Sequence, residues 1–177
     1  DYIYVNCLEN ELSDPCAVAA QMSPRHYSVG SDGLIMICSS QVADAKMRMF
    51  NADGTEGKMC GNAIRCVGKY LYDYHITNKT QLTIETLGGI KTLFLNVKNG
   101  QVDSVKVDME AYSIAPADIP VIFDGPMVNQ PITIEEKEYK LTAVSMGNPH
   151  AVTFLPEIQT LNLEKIGPLF EHHKIFP

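Results

Sequence analysis

The feature that most constrains the fold is a strongly periodic segment that follows Cys60. Apolar side chains recur there at spacings of three and four residues, at Ile64, Val67, Leu71 and Tyr74. This spacing is typical of a helix with one buried face. A helix is therefore predicted to begin at residues 60–62, with the rest of the chain covering its apolar side.

The segments on either side of this helix have the short patterns of strands. Turn sequences at residues 88–89 and 99–100 separate three of them, which predicts an antiparallel meander. A capping sequence at residues 13–15 predicts a short helix through residue 22. A further helix is predicted from Leu163 and has to accommodate a proline. The predicted strands cover residues 2–7, 34–38, 45–50, 81–87, 90–97, 101–109, 139–146 and 151–155.

Composition and charge favour a soluble protein that acts on a small molecule. Of the 177 residues, 45% are hydrophobic and 20% charged, which suffices for an ordinary globular core. A net charge of -7 and a pI of about 5.1 argue against binding to nucleic acid or anionic membranes. The sequence contains neither a transmembrane run nor a signal-peptide pattern, so a cytoplasmic location is expected. Because Asp1 rather than Met opens the sequence, we expect residues upstream of it.

The cysteines and histidines favour neither a disulfide framework nor a metal site. Five cysteines are an odd number without a C-x-x-C pair. The histidines lack ligand spacing with these cysteines, so no metal is expected. Apart from Cys60, each cysteine is predicted to be a small buried apolar residue. These four are Cys7, Cys16, Cys38 and Cys66.

Residues 51–66 are the first candidate for a functional site. A strand runs into a turn there, and the chain then reaches a helix start at Cys60, where free N–H groups and the helix dipole point outward. Such a position stabilises a thiolate and attracts a substrate carboxylate. Gly61 leaves the approach open, and the amides of Asn51 and Asn62 can donate and accept hydrogen bonds. Spacing alone equally allows a buried core cysteine followed by an ordinary turn.

Residues 145–150 are the second candidate. A strand breaks at a Gly-Asn-Pro sequence that contains Asn148, and His150 follows immediately. An imidazole there could orient or polarise a substrate group. The alternative is a structural histidine, which is the commoner role of a single histidine.

Together these segments resemble the signatures of the diaminopimelate epimerase family. The resemblance rests on three separated motifs in register, at residues 50–56, 59–66 and 146–150. Residues 1–5 resemble the family's first strand, and residues 30–33 resemble its Gly-Ala-Asp-Gly turn. The resemblance therefore spans essentially the whole chain.

The resemblance implies inversion of an α-carbon without pyridoxal phosphate, metal or any other cofactor. One cysteine thiolate removes the α-proton, and a second cysteine returns a proton to the opposite face. Cys60 corresponds to the first of the pair. The implied substrate is LL-2,6-diaminopimelate, converted to the meso form for lysine and peptidoglycan synthesis. The implied substrate contacts are Asn51, Gly61, Asn62 and Asn148, and His150 is implied to pair with a downstream glutamate near the reacting carbon.

The implied fold is α+β, with two similar halves in which a mainly antiparallel sheet curls around a central helix. The first half is assigned to residues 1–112 and lacks its closing strands, and the beginning of the second is assigned to residues 113–177. The family's second cysteine is expected beyond residue 177. This stretch alone is therefore expected to bind substrate weakly without epimerising it, whereas the complete enzyme is expected to be a homodimer.

Three alternatives remain open at this stage. A proline or hydroxyproline epimerase uses the same two-thiol chemistry, but those relatives usually carry histidine where Asn62 stands. A truncated module could keep a ligand cleft without chemistry. A thiol hydrolase would need Cys60 and His150 within hydrogen-bond reach, together with an orienting third group. The sequence also departs from the family at Ser28, where glycine is common, and at residues 63–64.

Overall fold

A seven-stranded sheet and two helices make up the first part of the chain. The strand order is β1-β2-β3-β5-β6-β7, with β4 paired to β3. The β1–β2 and β3–β5 pairs are parallel and the others antiparallel. The strands are β1 (Ile3–Cys7), β2 (Gly33–Cys38), β3 (Ala45–Asn51), β4 (Glu56–Gly57), β5 (Gln81–Thr86), β6 (Gly89–Lys98) and β7 (Gln101–Val107), and the helices are α1 (Pro15–Met22) and α2 (Gly61–Asp73).

Helix α2 lies in the concave side of this sheet. Its apolar stripe, which includes Ile64, Val67 and Leu71, is completely or almost completely buried. The same core cluster contains side chains from β2, β3, β5, β6 and β7, so the sheet curls around the helix. Gly68 allows close packing, because a Cβ there would lie 2.7 Å from a methyl group of Leu93. Burial of each large apolar side chain contributes about 1.5–3 kcal/mol, which makes this face the main support of α2.

Helix α1 covers the opposite face of the sheet. Leu34, Met36 and Phe50 pack with Ala19 of α1 in a second cluster. The residues that alternate with them in β2 belong instead to the cluster around α2. Strand β2 is thus covered on both faces, which explains its uninterrupted apolar sequence.

The second part of the chain forms a smaller mixed unit. Its three-stranded antiparallel sheet has the order β10-β9-β8. Tyr139 of the sheet packs edge-to-face on Phe170 with 5.0 Å between ring centroids, and a short 3-10 helix covers Pro116–Asp118. The strands are β8 (Gln130–Ile134), β9 (Lys137–Ser145) and β10 (Pro149–Thr153), and the helix is α3 (Leu163–Glu171).

The computed structural model describes all residues 1–177, which separate into compact units at residues 1–109 and 110–177. None of the helices has the length and apolar character required to cross a bilayer. The expected α+β fold, with a sheet curled around a helix, is confirmed. The assignment of residues 1–112 and 113–177 to the two halves of a complete enzyme stays a prediction.

Differences from the sequence-based expectations occur mainly in the second unit. The sequence patterns do not predict β8, which contains Pro131 but lies at the edge of its sheet, where proline is tolerated. Strand β10 begins at Pro149 rather than at residue 151, so His150 lies within a strand instead of before it.

Candidate active site

Cys60 caps the N-terminus of α2 and is half-buried. Its backbone is extended, with φ −132° and ψ 113°, and its sulfur accepts a hydrogen bond from the N–H of Ala63 at 3.5 Å. Its carbonyl oxygen accepts from Ile64 N at 3.0 Å. The N–H groups of Gly61 and Asn62 lie in the first helical turn, where the helix itself supplies no acceptor. The predicted helix start at Cys60 is therefore confirmed.

The segment just before Cys60 fixes where α2 begins. Just before Cys60, the carbonyl of Lys58 accepts a hydrogen bond from Gly88 N at 3.0 Å. Met59 packs against the core cluster around α2, as does the Cys60 side chain. A backbone hydrogen bond and apolar packing thus hold the thiol at the rim of the core, where it is neither fully buried nor fully exposed.

Gly61 leaves open space at the helix start, although packing would allow a larger residue there. A Cβ there would meet only the terminal atoms of Met109, at 3.8 Å and beyond, which is ordinary van der Waals contact. A cavity of about 420 Å³ borders Gly61 and Asn62, and Arg65 and Lys106 contribute cationic groups to its lining. The opening can therefore admit an anionic group.

Asn62 and Arg65 contact each other across one turn of the helix. The Asn62 amide oxygen accepts a hydrogen bond from the Arg65 guanidinium. Both side chains are exposed. This contact orients the Asn62 amide and leaves its NH2 group as the hydrogen-bond donor available to a ligand.

Asn51 ends β3 and belongs to a tightly closed turn. Its amide nitrogen donates to the Thr55 hydroxyl at 2.9 Å, and that hydroxyl donates to Asp53 at 2.6 Å. Hydrogen bonds from Thr55 hold the pKa of Asp53 below its usual range. A bidentate ion pair between Arg48 and Glu56, at 2.7 and 3.0 Å, closes the same turn and lowers the pKa of Glu56. The turn thus fixes the orientation of the Asn51 amide.

Gly33 makes this placement of Asn51 possible. The two residues are partners in the β2–β3 ladder. Gly33 has a φ of 152°, and a Cβ there would lie 2.0 Å from the carbonyl oxygen of Phe50. No other residue fits where β2 begins beside the end of β3.

Strand β1 presents a row of polar groups to α2 that the sequence analysis missed. Tyr2, just before β1, has a pKa raised by burial and by the charge and hydrogen bonding of Cys60. Burial and hydrogen bonding to Cys66 likewise raise the pKa of Tyr4. The Asn6 amide donates to the Tyr70 hydroxyl at 3.2 Å. The alternation of these three residues along one strand face was the available signal.

Asn148 and His150 lie at the β9–β10 connection of the second unit. The ring Nε2 of His150 and the Asn148 amide oxygen are 3.2 Å apart. Gly147, with φ 95°, permits the turn between the strands. His150 is exposed and borders a cavity of about 390 Å³ that Phe170 also lines. These two predicted site residues therefore contact each other directly.

The predicted site residues are thus distributed over both units. The first unit contains Asn51 and the Cys60–Asn62 start of α2, and the second contains the Asn148–His150 pair. Their roles in substrate binding and catalysis stay predictions. The structure contains no group of three or more His, Cys, Asp or Glu side chains arranged to hold a metal ion.

The expectation that four cysteines are buried is wrong for two of them. Cys7 is buried and Cys38 half-buried, but Cys16 and Cys66 are exposed. Cys16 occupies the first turn of α1, where only Ala19 is buried. Cys66 lies on α2 outside the apolar stripe that faces the core. Whether each cysteine is buried depends on which face of its helix packs against the sheet, and not on the small size of its side chain.

Comparisons with known proteins agree with the motifs. The family model described as diaminopimelate epimerase matches residues 1–115. Diaminopimelate epimerase from Acetivibrio thermocellus is 53% identical over 178 residues, which cover 100% of this chain and 64% of that protein. The protein of the same name from Methanococcus maripaludis is 50% identical, with the same coverage. The chain therefore spans about 64% of the length of these relatives.

Solved structures of lower sequence identity share the fold. A hydroxyproline epimerase from Agrobacterium vitis is 16% identical with a TM-score of 0.58, covering 87% of this chain and 40% of that one. A probable proline racemase from Agrobacterium radiobacter K84 is 18% identical with a TM-score of 0.59 and the same coverage. With the family model matching more than half of the sequence, the resemblance is confirmed, and the chain belongs to the diaminopimelate epimerase family.

Proposed function

We propose that Cys60 is one of two proton-transfer residues in an epimerase that interconverts LL- and meso-2,6-diaminopimelate without pyridoxal phosphate or metal. The observation that carries the proposal is the position of the Cys60 sulfur at the N-cap of α2, beside an open helix start. Membership of the diaminopimelate epimerase family supports the substrate. The lysine and peptidoglycan pathways that use meso-diaminopimelate follow from the same resemblance.

The proposed reaction begins when the Cys60 thiolate removes the α-proton of the substrate. The electron pair of the broken C–H bond passes into the substrate carboxylate, which gains negative charge. The N–H groups of Gly61 and Asn62 would stabilise that charge, and the helix dipole would favour it as well. Protonation from the opposite face then completes inversion at the α-carbon and leaves Cys60 as a neutral thiol.

The second proton donor has to lie on the opposite face of the α-carbon. Cys66 is unsuited to this role because it lies on the same helix as Cys60. By resemblance, we assign the role to a cysteine in the part of the family's length that residues 1–177 do not cover. This stretch alone should therefore bind substrate weakly without epimerising it.

The remaining predicted residues receive binding and positioning roles in the proposal. Asn51, Asn62 and Asn148 would hydrogen-bond the polar ends of the substrate through their amides. His150 would orient or polarise a group near the reacting carbon, together with a downstream glutamate. The same resemblance supports a homodimer in the cytoplasm with a small-molecule substrate as its ligand.

The test is to supply the full-length protein with LL-diaminopimelate in deuterium oxide. Chiral chromatography should detect the meso isomer, and mass spectrometry should detect one deuterium at the inverted carbon of the product. L-Proline and trans-4-hydroxy-L-proline should give neither inversion nor exchange. Turnover of either imino acid in preference to diaminopimelate would assign a different substrate.

A matched pair of cysteine variants tests the role of Cys60. The Cys60→Ala variant should lose at least about a hundredfold in activity, since general acid–base groups contribute at least this much. The Cys16→Ser variant should keep its activity, because Cys16 is exposed on α1 and lies outside the proposed site. Undiminished turnover by a folded Cys60→Ala protein would contradict the proposal.

A further inference from the structure

Cys7 and Cys38 form a second pair of thiol groups, separate from the proposed chemistry at Cys60. They are Cα partners in the parallel β1–β2 ladder. Each is the last residue of its strand. Side chains of directly paired residues point to the same face of a sheet, and both cysteines belong to the cluster on the α1 side. The structure thus places two thiols side by side.

The spacing of the two strands suits a covalent bond between these residues. Neighbouring strands lie about 4.7–4.9 Å apart, which falls within the Cα separation of about 4.4–6.8 Å found in disulfides. Because both residues end their strands, the chain that follows each can adjust without disturbing the ladder. The thiols are also close enough to hydrogen-bond to each other.

A cavity gives a small reagent access to the pair. Its volume is about 300 Å³, and both Cys7 and Cys38 line it. Cys7 is 8% exposed and Cys38 is half-buried. An oxidant of a few atoms can therefore reach the thiols through the cavity, whereas a protein partner cannot.

We propose that Cys7 and Cys38 are a dithiol modification site, at which hydrogen peroxide closes an intrachain disulfide between β1 and β2. One thiolate attacks the peroxide, which breaks the O–O bond, forms a sulfenic acid and releases hydroxide. The second thiolate then attacks the sulfenic sulfur, which forms the S–S bond and releases the second oxygen as hydroxide. The two thiol protons convert both hydroxides to water, so two thiols and one peroxide give one disulfide and two waters.

The charges around the pair determine how readily it reacts. Burial raises the pKa of both thiols. The groups that line the same cavity are Glu11, from the segment after β1, and Lys46 and Arg48 of β3. The two cations oppose the effect of burial on Cys38. Because the thiolate is the reactive form, the disulfide should form slowly at neutral pH and faster as the pH rises.

Peptide mapping of the full-length protein after peroxide treatment tests the proposal. Cleavage after Lys and Arg places Cys7 in the peptide that ends at Arg25, Cys38 in that of residues 26–46 and Cys60 in that of residues 59–65. The non-reduced digest should contain the first two peptides joined, at a mass lower by two hydrogens than their sum. Below the thiol pKa, the rate of joining should rise roughly tenfold per pH unit.

Variants identify which cysteine of the first peptide takes part. Because Cys16 lies in the same peptide as Cys7, which ends at Arg25, the Cys16→Ser variant should still form the joined species and Cys7→Ser should not. Cys38→Ser, at the half-buried position, provides a second test if the buried Cys7 variant fails to fold. The proposal is overturned if peroxide consumes both thiols of the wild-type protein without joining the peptides, or if joining persists in Cys7→Ser.

Discussion

The three helices begin on cap atoms of different kinds. In α1 the carboxylate of Asp14 accepts from Ala17 N at 3.1 Å, and in α3 the amide oxygen of Asn162 accepts from Lys165 N at 3.0 Å. In α2 the acceptor is the sulfur of Cys60, at 3.5 Å. Oxygen caps stabilise a helix by about 1 kcal/mol, whereas sulfur is a weak acceptor. Helix α2 therefore begins on the least stabilising of the three caps.

The helix starts also differ in the negative charge near them. The start of α1 has an acidic cap, and the first turn of α3 contains Glu164, so negative charge lies near the positive end of each dipole. The first turn of α2 contains no acidic residue, and its first residue is Gly61. The positive end of the α2 dipole can therefore interact with an external anion, while the buried apolar stripe stabilises the helix. The start of α2 is thus suited to a ligand rather than to helix stability.

The largest effect should follow from replacing the thiol cap with a better cap. Serine is among the strongly preferred N-cap residues, so Cys60→Ser should leave the free energy of unfolding unchanged or raise it by up to about 1 kcal/mol. Activity of the full-length protein should nevertheless fall at least about a hundredfold, because an alcohol is a far weaker base at neutral pH than a thiol. Chemical denaturation and turnover of LL-diaminopimelate measure the two quantities.

The same substitution at α1 is the control for Cys60→Ser. Asp14→Ser keeps an oxygen cap but loses the carboxylate charge and places serine at a φ of 47°, so stability should fall slightly and activity should not change. A Cys60→Ser protein that loses stability and activity in parallel would indicate a structural role for the thiol, and the contrast between α1 and α2 would then disappear.

Sequence patterns predicted the starts of α1 and α2 because the signals of a helix start are local. The period of Ile64, Val67 and Leu71 placed the start of α2 at Cys60, and the Ser-Asp-Pro sequence before α1 marked its start in the same way. Both signals span only a few residues of chain. The family resemblance then supplied the candidate roles of the residues around Cys60, which local patterns alone left open.

The contacts that the sequence did not predict all depend on tertiary structure. The proximity of Tyr2 to Cys60 arises because β1 runs beside α2. The alternation along β1 shows only that its polar residues share one face, not that α2 lies against that face. The pairing of Cys7 with Cys38 depends on the register of two parallel strands separated by α1. Strand β8 contains Pro131, which argues locally against a strand until its edge position is known.

The second-largest effect should be a loss of stability that leaves activity unchanged. Asp14→Ala removes the oxygen cap of α1, and alanine at a φ of 47° is also less favourable than aspartate. The free energy of unfolding should fall by about 1–2 kcal/mol, as denaturant unfolding would measure. Turnover at temperatures well below the transition should be unchanged. Asp14→Asn, which keeps an oxygen acceptor, should recover most of the lost stability.

A smaller effect should appear at the open start of α2. In Gly61→Ala the added Cβ meets only flexible atoms of Met109, and alanine favours a helix, so stability should rise by a few tenths of a kcal/mol. The same methyl group would crowd the N–H groups proposed to bind the substrate carboxylate. KM should therefore rise roughly fivefold, about the worth of one hydrogen bond. An unchanged KM would remove Gly61 from the proposed substrate contacts.

The smallest effect concerns the tyrosine beside the thiol cap. Burial and the neighbouring Cys60 raise the pKa of Tyr2, so its hydroxyl stays protonated at neutral pH and can donate to a thiolate. Tyr2→Phe removes this donor and should slow alkylation of Cys60 by iodoacetamide about two- to fivefold near neutral pH, the range expected for a weak hydrogen bond.

Tyr4→Phe makes this last prediction a crossed test, because Tyr4 hydrogen-bonds to Cys66 instead. Tryptic cleavage separates Cys60, in residues 59–65, from Cys66, in residues 66–69, so one digest reports both rates. Tyr2→Phe should slow alkylation mainly in the first peptide and Tyr4→Phe mainly in the second. Equal slowing of both thiols by either variant would mean that the tyrosines do not act through a separate hydrogen bond to each thiol. In that case the Cys60 sulfur would receive no specific hydrogen bond from Tyr2, and the α2 cap would differ from the caps of α1 and α3 only in having sulfur in place of oxygen.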